Sequence, residues 1–198
     1  MGQKLTRQFF LRPTLTVARQ LLGKYLVHRS GKKKIIGQVV ETEAYVGPQD
    51  LASHAKGGQI TSRNLAEYMI GGHIYIYLVY GIYWQLNIST GRSGVPECVL
   101  IRAVEPILPK FQISNLKFKI NLTNGPGKLC QYLKIDGQHY GLDLVTSREI
   151  WLEDGQSVSP RQIVADRRIG IDYAGPIWSN KKWRFYIKNN PYVSKFKR

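Results

Sequence analysis

This chain is short of acid. It has 13 Asp and Glu against 29 Lys and Arg, a formal charge of +16. Such an imbalance argues against cationic partners and points to a polyanion, with nucleic acid the leading candidate. A solubility surplus, a ribosomal setting or a membrane surface would carry the same charge. Cysteine is nearly absent too. Cys98 and Cys130 have no metal-like spacing, which excludes a zinc finger and a disulfide framework. Two buried thiols in a reducing compartment are expected instead, and no metal or cofactor. No apolar run reaches the ~20 residues of a membrane helix. Ile74 to Tyr83 comes closest and is short and rich in tyrosine. The first ten residues, Met-Gly-Gln-Lys-Leu-Thr-Arg-Gln-Phe-Phe, lack the apolar core of a secretory signal. The expectation is a cytosolic protein, or one in whichever compartment holds the nucleic acid, nuclear in a eukaryote. Repeats and linkers are also missing. At 198 residues, one domain spanning 1–198 can bury roughly 70% of its unfolded surface.

What is present concentrates between Val39 and Asn87. Val39 to Val46 is rich in β-branched residues and reads as a strand. A period of two puts Glu41, Glu43 and Tyr45 on one face, and Val40, Thr42, Ala44 and Val46 on the other. Ile74 to Asn87 reads as two strands around a tight turn at Tyr80-Gly81, with four tyrosines and a tryptophan. Carboxylates beside an aromatic cluster, on a basic chain, suit chemistry on something flat and attached to phosphate.

Elsewhere the spacing predicts a short amphipathic helix over Thr14 to Leu22, stopped by Gly23. Lys24 to Arg29 and Lys34 to Val46 form a hairpin whose lysine-rich tip is either a solvated turn or a phosphate contact. Gln49 to Gly72 is loop-rich. Glu97 to Glu105 is a strand, apolar between its terminal glutamates apart from Arg102. Lys110 to Asn121 reads as a basic surface loop. Asn124-Gly-Pro-Gly opens a helix through Leu133. Ile150 to Leu152, Gln162 to Ile171 and Trp183 to Ile187 read as strands. The fold class is therefore α+β, one mainly antiparallel and curved sheet with helices around it and a protruding hairpin.

Glu43 is the leading catalytic candidate, because a carboxylate on an apolar strand is either paired structurally or kept for acid–base work. Arg102 is its natural partner under the first reading. Glu41 and Glu43 as a glycosidase pair would stand ~7 Å apart at Cα on one strand, whereas such pairs usually come from different elements. Tyr75 and Tyr77 suit a strand core equally well. Tyr80, at the hairpin tip, points to solvent, where it could fill the gap left by an extruded base. Tyr45 and Tyr77 could wall a stacking pocket. His54 is either a ring-edge contact or a solvated loop histidine.

Several longer motifs extend these points. They are Val40-Glu-Thr-Glu-Ala-Tyr-x-Gly-Pro-x-Asp50, His54-Ala-Lys-Gly-Gly, Thr61-Ser-Arg-Asn and Tyr75-Ile-Tyr-Leu-Val-Tyr-Gly81. Further on come Leu86-Asn-Ile-Ser, Val99-Leu-Ile-Arg-Ala-Val-Glu-Pro106, Asn124-Gly-Pro-Gly-Lys-Leu-Cys130 and Trp183-Arg-Phe-Tyr. From about Leu5 to Ser194 the chain resembles the alkyladenine (methylpurine, 3-methyladenine) DNA glycosylases. The resemblance implies roles. Glu43 matches the general base that activates water. Arg102 and the backbone carbonyl of Ile169 match groups that hold that water. Tyr80 matches the residue inserted into the duplex. Tyr45, His54 and Tyr77 match the pocket that sandwiches the flipped base. Asn87 matches the residue that clashes with the amine of ordinary guanine. Arg63 and Leu100 match positions that line the pocket or touch DNA. No lysine falls among the matched residues, so no Schiff-base lyase step is implied. The chain departs from the family at Leu65-Ala-Glu-Tyr-Met69, commonly Gly-x-Met-Phe there, and over Lys110 to Asn121.

The implied activity is a monomeric, metal-free, monofunctional glycosylase that flips alkylated or deaminated purines out of double-stranded DNA and leaves an abasic site. From the residues alone, a non-catalytic nucleic-acid binder with an aromatic platform remains open, as does a nucleoside or glycan hydrolase.

Overall fold

Strand β2 (Lys33–Val46) is the spine of the sheet and pairs directly with three other strands. Its middle, Gly37 to Ala44, is buried throughout, and apart from Gln38 its residues are β-branched, small or paired charges. The computed structural model describes residues 2–107 and 122–194, so the basic Lys110 to Asn121 segment lies outside the described residues. Along one edge β2 pairs with β1 (Tyr25–Ser30) and, beyond it, with β8 (Arg184–Ile187) over Glu41 to Glu43. Along the other edge it pairs with β5 (Glu97–Pro106). The strand order is β3 (Ile74–Val79), β4 (Tyr83–Ser89), β5, β2, β1, β6 (Ile150–Glu153). Strand β7 (Ile163–Asp166) adds to β8, and every pair is antiparallel.

Four α-helices accompany the sheet among the described residues: α1 (Arg7–Phe10), α2 (Thr14–Gln20), α3 (Pro126–Leu133) and α4 (Gly175–Ser179). The main core joins Val17, Ala18 and Leu21 from the α2 region with Leu129, Cys130 and Leu133 of α3 and with Val39, Ala44, Ile88, Ile101 and Phe185 of the sheet. The Thr42 hydroxyl donates to the Ala18 carbonyl at 2.8 Å, fixing α2 against β2. Helix α2 ends two residues before the predicted Leu22. Gly23 reverses the chain at φ +86, where a Cβ would lie 2.2 Å from the Gln156 carbonyl oxygen. Both cysteines are buried free thiols, as expected, and no helix among the described residues is long and apolar enough to cross a membrane.

Two expectations are corrected. Strict alternation puts Val40 with Ala44 on one face, yet Val39 joins Ala44 in the main core while Val40 packs on Ala103 and Tyr192. The cause is an irregular register. Val39 faces Val104 and Glu41 faces Ala103, then Thr42 faces Ile101. Val40 is thus extra on β2 and Arg102 extra on β5, a local bulge. The predicted strand over Gln162 to Ile171 also shortens to Ile163–Asp166. Beyond Asp166 the backbone leaves β8 because Arg168 turns inward to Asp50. Its Nη1 and Nη2 lie 2.5 and 2.9 Å from the two carboxylate oxygens, with both side chains fully buried.

That fork–fork pair ties the loop after β2 to the loop after β7. Removing one partner of a buried pair leaves an uncompensated charge and typically costs ~3–5 kcal/mol. Arg168→Met should therefore lower the unfolding free energy by an amount of that size, read as a lower denaturant midpoint with the slope unchanged. A loss under ~1 kcal/mol, the range of exposed pairs, would contradict the role assigned to it.

Candidate active site

Beneath the site lie the two carboxylates of β2, just behind its lining. Glu41 and Glu43 are both fully buried, so each needs compensating partners. Glu41 is saturated. Arg184 Nη1 reaches its Oε1 at 2.9 Å, and the backbone amide and hydroxyl of Ser194 donate to it as well. Glu43 is held differently. Its Oε1 accepts from the Ile169 amide at 2.9 Å and lies 3.3 Å from Arg102 Nη1. Its Oε2 accepts one bond among the described residues, from the Tyr45 hydroxyl at 2.8 Å. A carboxylate oxygen has room for two such bonds. Arg102, skipped by the register between Glu41 and Thr42, reaches both acids, with Nε 3.5 Å from Glu41. Burial works against its charge, but Glu43 and then Glu41 outweigh it and hold its pKa above the ordinary value. Burial and then the charge of Glu43 raise the Tyr45 phenol well above its usual range, so it stays protonated and donates.

Above this floor opens a cavity of about 500 Å³. Tyr45, His54, Arg63, Tyr77, Tyr80, Asn87, Leu100, Arg102 and Ile169 all line it. The structure therefore brings nine of the predicted residues together. The tenth, Glu43, sits immediately behind the wall, since its partners Tyr45, Arg102 and Ile169 are lining residues. Tyr77 packs against the His54 ring at 4.5 Å between centroids and 72° between planes, and Arg63 lies over Tyr77 at 5.3 Å. Arg168 lies over Tyr45 at 4.7 Å. Asn87 faces Leu100 across the β4–β5 ladder and donates to the Gln85 carbonyl at 3.1 Å.

The β3–β4 turn stands out from this pocket. Tyr80 and Gly81 take φ values of +53 and +70, and the Ile82 amide closes on the Val79 carbonyl at 3.2 Å. Two positive φ values match the twist of the strands, but tyrosine adopts that conformation at a cost. Tyr80 is 89% exposed and Ile82 beside it 62%. A strained, solvent-facing aromatic tip is unfavourable for folding alone.

Sequence reasoning missed several pocket residues. The Ile169 amide donates to Glu43, a contact separate from the one expected of its carbonyl, and backbone donors leave no trace in side-chain patterns. Tyr75, Cys98, Glu67 and Tyr173 also line the cavity; Glu67 was visible as a carboxylate in a loop that departs from the family pattern. A larger cavity of about 700 Å³ beside α2 has arginines and a lysine but no carboxylate among the described residues of its wall. One group with metal-ligand spacing exists among the described residues: His28, His139 and Glu149, within 4.8 Å of one another. It shares no residue with the pocket.

His54 Nδ1 lies 2.6 Å from the Tyr75 hydroxyl. Loss of solvent around the ring, then the charges of Arg63 and Lys56, push its pKa down to about 4. The folded value lies below the unfolded one, so any stability linked to His54 is present above ~6.5 and is lost as pH falls toward about 4. An NMR titration of the ring should find its midpoint near about 4. A midpoint near ~6.5 would mean the pocket does not desolvate it.

Comparison with known proteins matches this arrangement to a family. The methylpurine-DNA glycosylase (MPG) family model matches residues 8–191. A protein of Borreliella burgdorferi is 44% identical over 191 residues, covering 96% of this chain and 100% of its own. One from the archaeon Methanocella arvoryzae is 46% identical over 195 residues, 96% of each chain. A third, from Natranaerobius thermophilus, is 42% identical over 196 residues, 96% of this chain and 98% of its own. Each bears the name "Putative 3-methyladenine DNA glycosylase". With the family's span covering nearly the whole sequence and its motif residues gathered on one cavity, the chain belongs to the methylpurine-DNA glycosylase family.

Proposed function

We propose that this protein is a monofunctional DNA glycosylase that excises damaged purines from duplex DNA by hydrolysis and leaves an abasic site. The observation that carries this reading is Glu43, a buried carboxylate held by Arg102, the Ile169 amide and the Tyr45 hydroxyl directly behind an aromatic cavity. The family match and the names of the relatives support the same activity.

The steps follow from charge and shape. A chain of +16 associates with the phosphate backbone. Tyr80, exposed at the hairpin tip, enters the stack in place of the extruded nucleotide. The purine lies in the cavity between Tyr45 and the Tyr77–His54 pair. Breaking the bond from C1′ to the base builds positive charge on the sugar, which the Glu43 anion stabilises. Glu43 takes a proton from water as the water oxygen bonds to C1′, and Arg102 keeps that carboxylate oriented. The bonding electrons leave with the base. An N-alkylated purine carries positive charge already and departs neutral. Asn87 lines the edge that the 2-amino group of a guanine would meet; the clash penalises ordinary guanine and 7-methylguanine alike, and only the cationic base has a bond weak enough to break despite it. No lysine lines the cavity among the described residues, and the reaction ends at the abasic site because nothing there forms a Schiff base. One chain supplies every residue in the scheme, so the enzyme acts as a monomer wherever the cell keeps its DNA.

Glu43→Gln keeps shape and removes the base. Single-turnover excision of 7-methylguanine from a duplex should fall by at least ~10²–10⁴, while the variant still binds the lesion. Excision at the wild-type rate would remove Glu43 from the mechanism and with it the reading.

A further inference from the structure

One acid in the cavity has no part in the scheme above. Glu67 lies in the 3-10 turn Leu65–Tyr68, the segment where the sequence departs from the family pattern. It is 1% exposed and lines the same cavity as Tyr45, Tyr77 and Asn87. The other buried acids of the site each meet an arginine: Glu41 and Glu43 meet Arg102, and Asp50 meets Arg168. Glu67 has no ion pair among the described residues. Its Oε1 accepts from the Cys98 thiol at 3.2 Å with the Ser53 hydroxyl also close to the carboxyl, and its Oε2 has no hydrogen-bond partner among the described residues. A buried carboxylate without a cation is costly, and it relieves that cost by taking up a proton. As a carboxylic acid it gains an O–H donor inside the pocket.

We propose that Glu67 is a general acid that donates its proton to a ring nitrogen of a neutral purine lesion as the bond to C1′ breaks. This rests on the glycosylase reading. The balance closes. Water adds its oxygen to C1′ and gives one proton to Glu43. The electron pair of the broken bond goes to the base, whose ring nitrogen takes the Glu67 proton. The purine leaves neutral, and proton exchange with solvent restores both acids. Cationic alkylated purines need no such proton, so Glu67 separates the two lesion classes.

The surroundings support this at neutral pH. Burial first raises the Glu67 pKa, the Cys98 thiol and Ser53 hydroxyl offset part of that, Asp50 adds to it, and the result is about 7. The other titratable groups around it cannot serve. The Cys98 thiol is raised well above its ordinary value by burial and then by Glu67. The Tyr68, Tyr75 and Tyr77 phenols are raised too, by burial first. His54, at about 4, is neutral, and Asp50 is paired with Arg168. The protonated, donating form of Glu67 predominates below about 7 and is lost above it.

The test compares single-turnover excision of hypoxanthine, a neutral base, with excision of 7-methylguanine, a cationic one, on otherwise identical duplexes. In the wild type the ratio of the two rates should break near pH about 7 and fall roughly tenfold per pH unit above it. In Glu67→Gln the ratio should drop at least ~10²-fold and the break should vanish. A flat wild-type ratio overturns the proposal without any variant. So does an equal loss on both lesions in Glu67→Gln, which marks a packing role. A slope that persists in Glu67→Gln means that solvent protonates the base, and it overturns the proposal as well. Release of 7-methylguanine but never of hypoxanthine has the same consequence. A wild type that releases neither base overturns the glycosylase reading itself.

Discussion

The central constraint is a short line of buried charge across β2, β5 and β8. Glu41, Glu43, Arg102 and Arg184 each have at most 8% of their surface exposed. Each ion costs several kcal/mol to desolvate, and only close partners offset that. The line is uneven. Glu41 takes Arg184 and both donors of Ser194. Glu43 takes one arginine at 3.3 Å, one amide and one phenol. The tightly bound acid closes the sheet around β8 and the C-terminal segment. The more lightly held one remains available behind the cavity.

Geometry then follows from the bulge. In a regular ladder Arg102 would have one residue opposite it. The register skips it, and it reaches two carboxylates at once. The loop after β7 completes the arrangement, because Arg168 anchors to Asp50 and thereby delivers the neighbouring Ile169 amide to Glu43. Rigid floor and exposed tip divide the work. The floor is fixed by buried ion pairs, while Tyr80 stands in solvent at positive φ, available to a partner and of no use to the core.

Much of this was legible beforehand. Local patterns marked β2, the Tyr80-Gly81 turn and α3, since periodicity, positive-φ residues and Pro126 act within a few positions. The choice between a structural and a catalytic Glu43 was not legible, because both readings predict Arg102 beside it. What separates the two acids is the contact made by Ser194, 153 residues from Glu41, and the one made by Ile169, 126 residues from Glu43. The Gln162 to Ile171 segment read as a strand because its apolar residues fit one. Its inward turn depends on Asp50, 118 residues away. Glu67 was noticed only as a departure, since the absence of a cation around it is a property of packing.

The central claim is that the cavity hydrolyses the bond between a damaged purine and its sugar. The direct measurement incubates the wild-type protein with a duplex holding one 7-methylguanine. Released base is then separated by chromatography, and the strand is analysed before and after alkali. The account predicts free 7-methylguanine in equal amount to alkali-labile sites at the lesion, with the strand intact until alkali is added. Tight binding with no free base would make this a binding protein, and a break without alkali would contradict a reaction that ends at the abasic site.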